Sequence, residues 1–489
     1  MLPAVPSLAA RDGKPSAHGS LLVLSVLVSA MFIVQFDFFV VNVAAPSLER
    51  DLHVGAGTLE LVVGGYAFAF ASGMITGGRL GDLYGHRRLF AVGMVAFAAA
   101  SLLCGITATA GQLVAARLVQ GAAGALMVPQ VLAVITAHVP AAAKPRALAA
   151  YGMAGGLGSI AGQVLGGALL QTHLPVPGWR LIFLVNVPVC ALAALLAARR
   201  LPAPVPAPGR TTGLDPVGAA GVCLTLVLIL LPLSLGHASG WPAWSWTCLG
   251  AAVPVAVGTL LWERALARRS GSPVLDLTLF RSPSFRSGLV AGVAFQLYFG
   301  SFMFTLTLLL QSGLGLGPAA AGLAFAPMGL LFATSSLLGR SLGNRYGTTV
   351  LVVGSATTGT GLLLLTMLLH FSDGFSDGPV AVLPVVLCLC LVGCGNGLVL
   401  PALIGAALVR VRPAKAGAAS GVLTTTQQFA SSAGVAVVGA VFFAVLGADP
   451  SAGDYAHAMT VSALIDLALV AAVLCRCWTI RRLAGRAGA

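Results

Sequence analysis

The sequence is poor in charged residues. Only 8% of its 489 residues are Asp, Glu, Lys or Arg, whereas 58% are apolar and the mean hydropathy is +0.96. An ordinary water-soluble protein carries about 25% charged residues, so this composition excludes that class. Apolar runs of roughly 20 residues, the length that crosses a hydrocarbon core, recur along the whole chain. We therefore predict an all-α polytopic membrane protein.

Several kinds of chemical site are also lacking. The sequence contains no Walker-type phosphate loop, which excludes an ATP-driven motor within this chain. The nine cysteines fall in or at the ends of apolar runs and predict neither a disulfide framework nor a metal site. Even Cys388, Cys390 and Cys394 are interpreted as small packing residues, because no His accompanies them. The His residues lie almost entirely in loops or at helix ends, so we expect no enzyme, no metal and no cofactor.

About fourteen apolar runs are long enough to be transmembrane helices, and short loops rich in Gly, Pro or charge separate them. In chain order, the predicted spans S1 to S14 are 21–44, 58–78, 89–107, 112–135, 149–170, 181–198, 217–235, 245–262, 287–311, 318–338, 348–369, 379–403, 417–445 and 457–475.

The basic residues are distributed unevenly about these spans. If the N-terminus lies in the cytoplasm, all of the 27 Lys and Arg residues except Arg50, Arg117 and Arg180 fall on the cytoplasmic side or at its helix ends. This is the positive-inside pattern, so the net charge of +13 orients the protein and predicts no nucleic-acid partner. An even number of spans places both termini in the cytoplasm.

Two breaks in the apolar pattern divide the spans into groups. The linkers at 199–216 and 263–286 leave only two spans between them. We therefore predict two six-helix bundles and two inserted helices. The divisions are a cytoplasmic tail at 1–20, the N-terminal bundle at 21–198, the linkers and inserted helices at 199–286, the C-terminal bundle at 287–475 and a basic cytoplasmic tail at 476–489.

An internal repeat supports this division. The hexapeptide LGDLYG beginning at Leu80 recurs as LGNRYG beginning at Leu342. The copies follow S2 and S10, each the second helix of a six-helix group, on the predicted cytoplasmic side. This equivalence indicates two bundles related by duplication.

Ionisable residues inside the predicted spans are few, and each is a candidate functional residue because charge is costly in a bilayer. They are Asp37 in S1, Arg117 in S4 and Asp466 in S14. At a rise of ~1.5 Å per residue, Asp37 and Arg117 lie at one level, about 8 to 10 Å below the outer surface. Tyr66 and Asn186 fall at a similar depth, which predicts a polar layer in the N-terminal bundle.

A carboxylate in such a layer can couple transport to protons. Burial favours its neutral form and a nearby Arg its charged form, so the charge state of Asp37 can respond to the direction in which a cavity opens. The alternative is a static ion pair between Asp37 and Arg117 that joins two helices. Asp466 is either a second proton or cation site or the partner of an unidentified polar group.

The loop after S2 is a candidate conformational latch. Gly81 and Gly85 are expected to let the chain turn tightly, and Asp82 lies among cations that include Arg87. We assign the latch to Gly78, Asp82, Gly85 and Arg87. A solvated basic loop that only satisfies the positive-inside rule is the alternative.

Two further segments are candidates for movement and for substrate contact. S5 carries Gly158, Gly162, Gly166 and Gly167, a smooth stripe that allows close packing and, as a further hypothesis, a sliding surface. S13 contains five consecutive polar residues, 424–428, near the membrane centre. The candidate cavity residues are Asn42, Tyr66, Gln120, Gln163, Gln427 and Gln428.

These positions lie in segments that resemble the fourteen-helix drug:proton antiporter branch of the major facilitator superfamily, from about residue 25 to about residue 475. The segments are FDFFVVNVAAPSL from Phe36, GGRLGDLYGHRR from Gly77, LVAARLVQGAAGA from Leu113, GSIAGQVLGG from Gly158 and WRLIFLVNVP from Trp179. Two positions depart from the family pattern, since Gln163 replaces a common Pro and Asn344 replaces the acid of the second loop copy.

The resemblance implies a major facilitator fold with fourteen transmembrane helices. It also implies that Arg117 takes part in proton transfer and that the S5 glycines form the antiporter motif. It implies proton-coupled efflux of antibiotics or other amphipathic or cationic compounds across a bacterial cytoplasmic membrane, by a protein we expect to be monomeric. A proton-coupled uptake or metabolite carrier on the same fold is the alternative. Abundant Arg, Ala and Gly indicate a GC-rich genome, so self-resistance in an actinomycete is a hypothesis.

Overall fold

The computed structural model describes residues 17–53, 56–140, 143–172, 175–201, 215–236, 240–269, 277–371, 379–408, 411, 416–447 and 450–485, and the regular structure within them is helical. The α-helices are α1 (Ala17–Leu52), α2 (Ala56–Tyr84), α3 (His86–Ile106), α4 (Ala110–His138), α5 (Lys144–Leu170), α6 (Gly178–Leu184), α7 (Asn186–Arg200), α8 (Pro216–Leu235), α9 (Ala243–Arg268), α10 (Pro283–Leu308), α11 (Pro318–Tyr346), α12 (Thr349–Phe371), α13 (Pro379–Leu408), α14 (Ala416–Leu446) and α15 (Ala452–Gly485). A 3₁₀ turn (Leu277–Arg281) precedes α10, and a π-helical turn (Leu309–Gly313) extends it.

The helices match the predicted spans in number and order. Within the described residues, thirteen helical segments are long and apolar enough to cross a membrane. The remaining span is α2, a helix of 29 residues with an apolar stretch at Leu61–Met74. At ~1.5 Å per residue α2 is also long enough to cross.

Two details of the helices differ from the sequence prediction. S6 is two helices, because Pro188 has no N–H to give to the carbonyl of Leu184 and its ring clashes with that turn. The segment after S2 is largely helical, since α2 continues to Tyr84 and α3 begins at His86. The prediction that Gly81 lies at a turn was therefore wrong, because Gly81 lies inside α2.

The two bundles have equivalent internal packing. In the N-terminal bundle α1 packs on α5, α2 on α4, and α3 on both α4 and α7. In the C-terminal bundle α10 packs on α14, α11 on α13, and α12 on both α13 and α15. This correspondence is what a duplicated six-helix unit requires.

The turns after α2 and α11 give a second sign of duplication. Gly85 follows α2 with φ 92°, and Gly347 follows α11 with φ 58°. Both values lie in the left-handed region that glycine adopts without a steric penalty. The repeated LG..YG pattern thus ends each copy on the residue that allows the turn.

The bundles meet along two helix pairs, α5 with α11 and α2 with α14. The inserted α8 and α9 pack on each other, and α8 also contacts α2 and α14 at the outside of the second pair. Each of these two inter-bundle contacts is a seam between the bundles. The insert therefore lies beside the α2–α14 seam and does not cover the α5–α11 seam.

Candidate functional site

A buried ion pair joins α1 to α4 in the N-terminal bundle. Arg117 Nη1 contacts Asp37 Oδ2, and neither side chain has any exposed surface. The sequence placed these two residues at one depth, and the structure brings their side chains together.

Two amide side chains complete the surroundings of Asp37. Gln120 Nε2 and Asn186 Nδ2 each donate to Asp37 Oδ1 at 2.8 Å. Gln120 Nε2 also lies 2.8 Å from the Ser101 hydroxyl, and Gln120 Oε1 accepts from Arg117 Nη1 at 2.7 Å. Every described polar partner of Asp37 is a donor, and a carboxylate surrounded by donors is the ionised, acceptor-only form. This set of donors favours the ionised form of Asp37.

Arg117 is held by contacts other than the ion pair. Its Nε donates to the Val62 carbonyl at 3.1 Å, and its guanidinium carbon lies 4.1 Å from the ring centroid of Tyr66. The Phe183 ring lies on it at 5.7 Å. A cation over aromatic faces is favoured by the ring quadrupole, more so when water is excluded. The guanidinium thus keeps favourable contacts that do not depend on Asp37.

A second buried carboxylate lies in the C-terminal bundle. Asp466 on α15 has no exposed surface, and its Oδ1 lies 2.6 Å from the Ser301 hydroxyl of α10. Among the described residues, Asp466 Oδ2 has no hydrogen-bond partner. The sequence did not identify Ser301 as a partner of Asp466.

A cavity lies between the bundles. Its described lining is mostly apolar, with polar groups from both bundles at Gln35, Tyr151, Ser159, Gln296, Thr424, Gln427 and Gln428. An apolar wall with a few hydrogen-bonding groups suits a small amphipathic molecule.

The predicted cavity residues occupy different places. Gln427 and Gln428 lie in the wall of the cavity, and Gln428 Nε2 donates across the seam to Gln35 Oε1 at 3.4 Å. Tyr66 lines a smaller space beside the cavity, on the far side of Gln35 and Gln428.

The other three predicted cavity residues lie outside its described lining. Gln120 belongs to the ion-pair network, and Gln163 donates to Thr307 of α10 at 3.4 Å. Asn42 is buried in α1, and its amide atoms have no partner among the described residues.

The glycines of α5 have two different neighbours. A Cβ on Gly158 would lie 2.4 Å from the Phe32 carbonyl oxygen, and one on Gly162 2.7 Å from that of Phe36, both within the N-terminal bundle. A Cβ on Gly166 would lie 2.7 Å from the side chain of Val40, which is on α1 as Phe32 and Phe36 are. In contrast, a Cβ on Gly167 would lie 2.2 Å from the Pro318 carbonyl oxygen of α11. The motif therefore packs one bundle internally and also closes the seam between the bundles.

The seam is closed at one end and open at the other. Gly167 and Pro318 lie at the predicted outer ends of α5 and α11. Leu132, Leu148 and Leu408, which lie near the predicted cytoplasmic helix ends, line the cavity. On the predicted topology, this conformation therefore opens toward the cytoplasm.

The predicted latch residues lie at the predicted cytoplasmic end of α2 and α3. Arg87 donates to the Ala198 carbonyl near the end of α7, which joins two helices of one bundle. A Cβ on Gly78 would meet Pro129 of α4 at an ordinary 3.6 Å, and Gly85 forms the turn. The side chain of Asp82 lies outside the described part of the structure.

Several site residues were not predicted. They are Ser101, Asn186 as a direct ligand of Asp37, Ser301, Gln35 and Gln296. Asn186 was placed at the right depth, but no pattern in the sequence shows which face of a helix turns toward another. Gln120 could have been placed in the network, because it lies three residues after Arg117 on the same helical face.

Known proteins are similar to this chain in sequence. A model of the Major Facilitator Superfamily matches residues 27–435. The chain is 37% identical to the probable actinorhodin transporter of Streptomyces coelicolor over 430 residues, which are 88% of this chain and 73% of that protein. It is 36% identical to the puromycin resistance protein of Streptomyces alboniger over 86% of this chain and 81% of that protein. It is 33% identical to the cephamycin export protein of Amycolatopsis lactamdurans over 88% of this chain and 86% of that protein.

Solved structures support the same fold. A bacterial homologue of the human lysosomal transporter Spinster, in an inward-facing and occupied conformation, matches with a TM-score of 0.63 at 14% identity, over 96% of this chain and 98% of that one. The xylose transporter XylE of E. coli matches with a TM-score of 0.58 at 13% identity, over 92% and 97%. With duplicated bundles, a central cavity and a family model that spans most of the sequence, the chain belongs to the Major Facilitator Superfamily of membrane transporters.

Proposed function

We propose that this protein exports antibiotics or other small amphipathic or cationic compounds from a bacterial cytoplasm in exchange for protons. The export direction and the compound class are supported by the relatives named for actinorhodin, puromycin and cephamycin, each at 33% identity or more over at least 86% of this chain. The cavity agrees with this class, because it combines an apolar wall with scattered amide and hydroxyl groups.

The observation that carries the proton coupling is the buried ion pair of Asp37 and Arg117. Breaking a buried pair by removing one partner leaves an uncompensated charge and costs about 3 to 5 kcal/mol. Protonation of Asp37 neutralises one of the two charges before the pair opens, so only Arg117 is left charged, and its contacts with Val62 and Tyr66 offset part of that cost. A proton bound by Asp37 therefore stabilises a conformation in which the pair is separated.

The helix contacts connect this event to the movement of the bundles. Asp37 lies on α1, which packs against the Gly158 face of α5, and α5 packs across the seam on α11. A shift of α1 when the pair opens is thus passed to the helix that closes the outer end. Rocking of the two bundles about this seam gives alternating access.

The proposed orientation places both termini in the cytoplasm of a bacterium, with the protein spanning its cytoplasmic membrane many times. The positive-inside distribution of the sequence supports this orientation. We propose that no cofactor is needed, because the proton gradient supplies the driving force, and that one chain is sufficient because both bundles are present in it.

Antibiotic tolerance in a sensitive bacterial host tests the function. The host expresses the wild-type protein, Asp37→Asn, or the control Glu49→Gln, which removes an exposed carboxylate from the same helix. Puromycin, cephamycin, tetracenomycin C and methylenomycin A are the first panel, since relatives are named for them.

We expect tolerance to rise for at least one compound with the wild type and the control, and to be lost with Asp37→Asn at equal membrane abundance. Equal tolerance in all three would remove Asp37 from the mechanism. Greater sensitivity with the wild type than with empty cells would instead indicate uptake.

A further inference from the structure

The C-terminal bundle contains a polar cluster on helices equivalent to those of the ion-pair network. Ser101, Gln120 and Asn186 come from the third, fourth and last helices of the N-terminal bundle. In the C-terminal bundle, Thr358 on α12 and Asn396 on α13 occupy the third and fourth helices, and Asp466 lies on the last, α15. The Thr358 hydroxyl donates to Asn396 Oδ1 at 3.1 Å, and Asn396 Nδ2 donates to the Tyr298 hydroxyl at 2.9 Å.

The two clusters differ in where the carboxylate lies and in what surrounds it. Asp37 on the first helix of its bundle faces Asn186 on the last, whereas Ser301 on the first helix faces Asp466 on the last. Asp37 has an arginine and two amide donors, but the described surroundings of Asp466 supply only one hydroxyl. An ionised carboxylate in a bilayer interior needs more compensation than a single hydroxyl gives.

The donors and acceptors around Ser301 can be counted. Its Oγ lies 2.6 Å from Asp466 Oδ1, 2.8 Å from the Leu297 carbonyl oxygen and 2.9 Å from the Tyr298 carbonyl oxygen. A serine hydroxyl has a single hydrogen to donate and can also accept. If Asp466 is ionised, that hydrogen has three competing acceptors. If Asp466 is protonated, its O–H donates to Ser301 Oγ, and the Ser301 hydrogen is free for a backbone carbonyl of α10.

No described charged group compensates Asp466. Its helix packs on α10, α12, α14 and the π-helical turn. Of the described titratable side chains on these elements, Tyr298 alone lies at the level of the cluster. The others lie toward helix ends and include Arg286, His370, Asp454, His457 and Arg476. Those on α15 are about 14 Å or more from Asp466 along the helix axis.

We propose that Asp466 is a second proton-binding site, which holds a proton in the conformation where Asp37 is ionised. When the bundles rock and water reaches α15, the carboxyl O–H bond breaks, the proton passes to water and the carboxylate remains. This inference rests on the proposed proton-driven cycle, and it implies that the two bundles carry protons in different conformations. The cycle then moves more than the single proton that Asp37 alone would allow.

Infrared spectroscopy of the full-length protein in lipid bilayers tests the site without any cargo. A protonated carboxyl group absorbs separately from a carboxylate, and its band shifts when water is exchanged for D₂O. We expect such a band in the wild type, its loss in Asp466→Asn, and its retention in Asp37→Asn. Ser301→Ala should keep the band but shift its frequency, because the acceptor of the carboxyl O–H is removed.

Two results would overturn the inference. An Asp466→Asn spectrum that retains the whole band would show that Asp466 is ionised. A band that belongs to Asp466 but neither shifts in D₂O nor titrates in alkaline buffer would show a proton that does not exchange, and hence a structural role. Neither result bears on the resistance assay of Asp37, so the two proposals can fail separately.

Discussion

Gly167→Ala is expected to shift the protein away from the conformation described above. Gly167 on α5 faces the first turn of α11, where a Cβ would lie 2.2 Å from the Pro318 carbonyl oxygen and 3.0 Å from the Ala319 Cα. Both neighbours are backbone atoms, which cannot rotate away as a side chain can. The substitution therefore acts on the separation of the two bundles at the predicted outer end.

The size of the effect follows from the overlap. An ordinary contact begins at 3.4 Å, so a distance of 2.2 Å requires a separation of about 1.2 Å along that direction. Overpacking of a close interface costs roughly 1 to 3 kcal/mol. The whole cost is assigned to the conformation that is closed at this end. Its population relative to the conformation that is open at this end then decreases by about 5- to 150-fold.

Spin labels on the two sides of the seam measure this population. Labels at the exposed Gln171 and Ala320, in a background without the native cysteines, report the α5–α11 distance in lipid. The control is Gly152→Ala on the same helix, where a Cβ would meet nothing within 4 Å. We expect a longer distance for Gly167→Ala and the wild-type distribution for Gly152→Ala. Identical distributions in all three proteins would refute the assignment of this contact as the closing surface.

Three further substitutions follow from the same contacts. Gly158→Ala places a Cβ 2.4 Å from the Phe32 carbonyl oxygen inside one bundle, so it should lower the free energy of unfolding by about 1 to 3 kcal/mol in thermal unfolding without changing the spin-label distances. Arg117→Leu leaves Asp37 buried without its cation, and we expect a loss of about 3 to 5 kcal/mol at neutral pH that Asp37→Asn in the same chain largely restores. Gln428→Leu removes the amide that bridges the seam in the cavity, so tolerance to different compounds should change unequally in the resistance panel, whereas a uniform loss would contradict a role in cargo contact.

The architecture could be predicted from sequence because a bilayer leaves few choices. Every span must be apolar and about 20 residues long, so composition alone marks the helices. The repeated hexapeptides after S2 and S10 then identified the duplication, and Gly85 and Gly347 adopt the same kind of turn in the structure. The break between α6 and α7 was missed although Pro188 marks it, because the apolar run continues through the proline.

The site could be predicted only in part. Charged residues in spans are rare, so depth alone placed Asp37 and Arg117 at one level. Their partners could not be chosen in the same way, because Ser, Asn and Gln are frequent in transmembrane helices and either a cavity or a neighbouring helix can satisfy them. Gln120 was therefore predicted to line the cavity, but it lies in the ion-pair network. No feature of the sequence indicated Ser301.

The most direct test of the central claim is transport by the purified protein in liposomes. The cargo is the compound to which the protein confers tolerance, and its movement is followed with a pH gradient, with the gradient collapsed, and with Asp37→Asn under both conditions. We expect concentrative transport by the wild type only with the gradient, and none by Asp37→Asn. Equal concentrative transport by the wild type when both the pH gradient and the membrane voltage are abolished would contradict proton coupling at the buried ion pair.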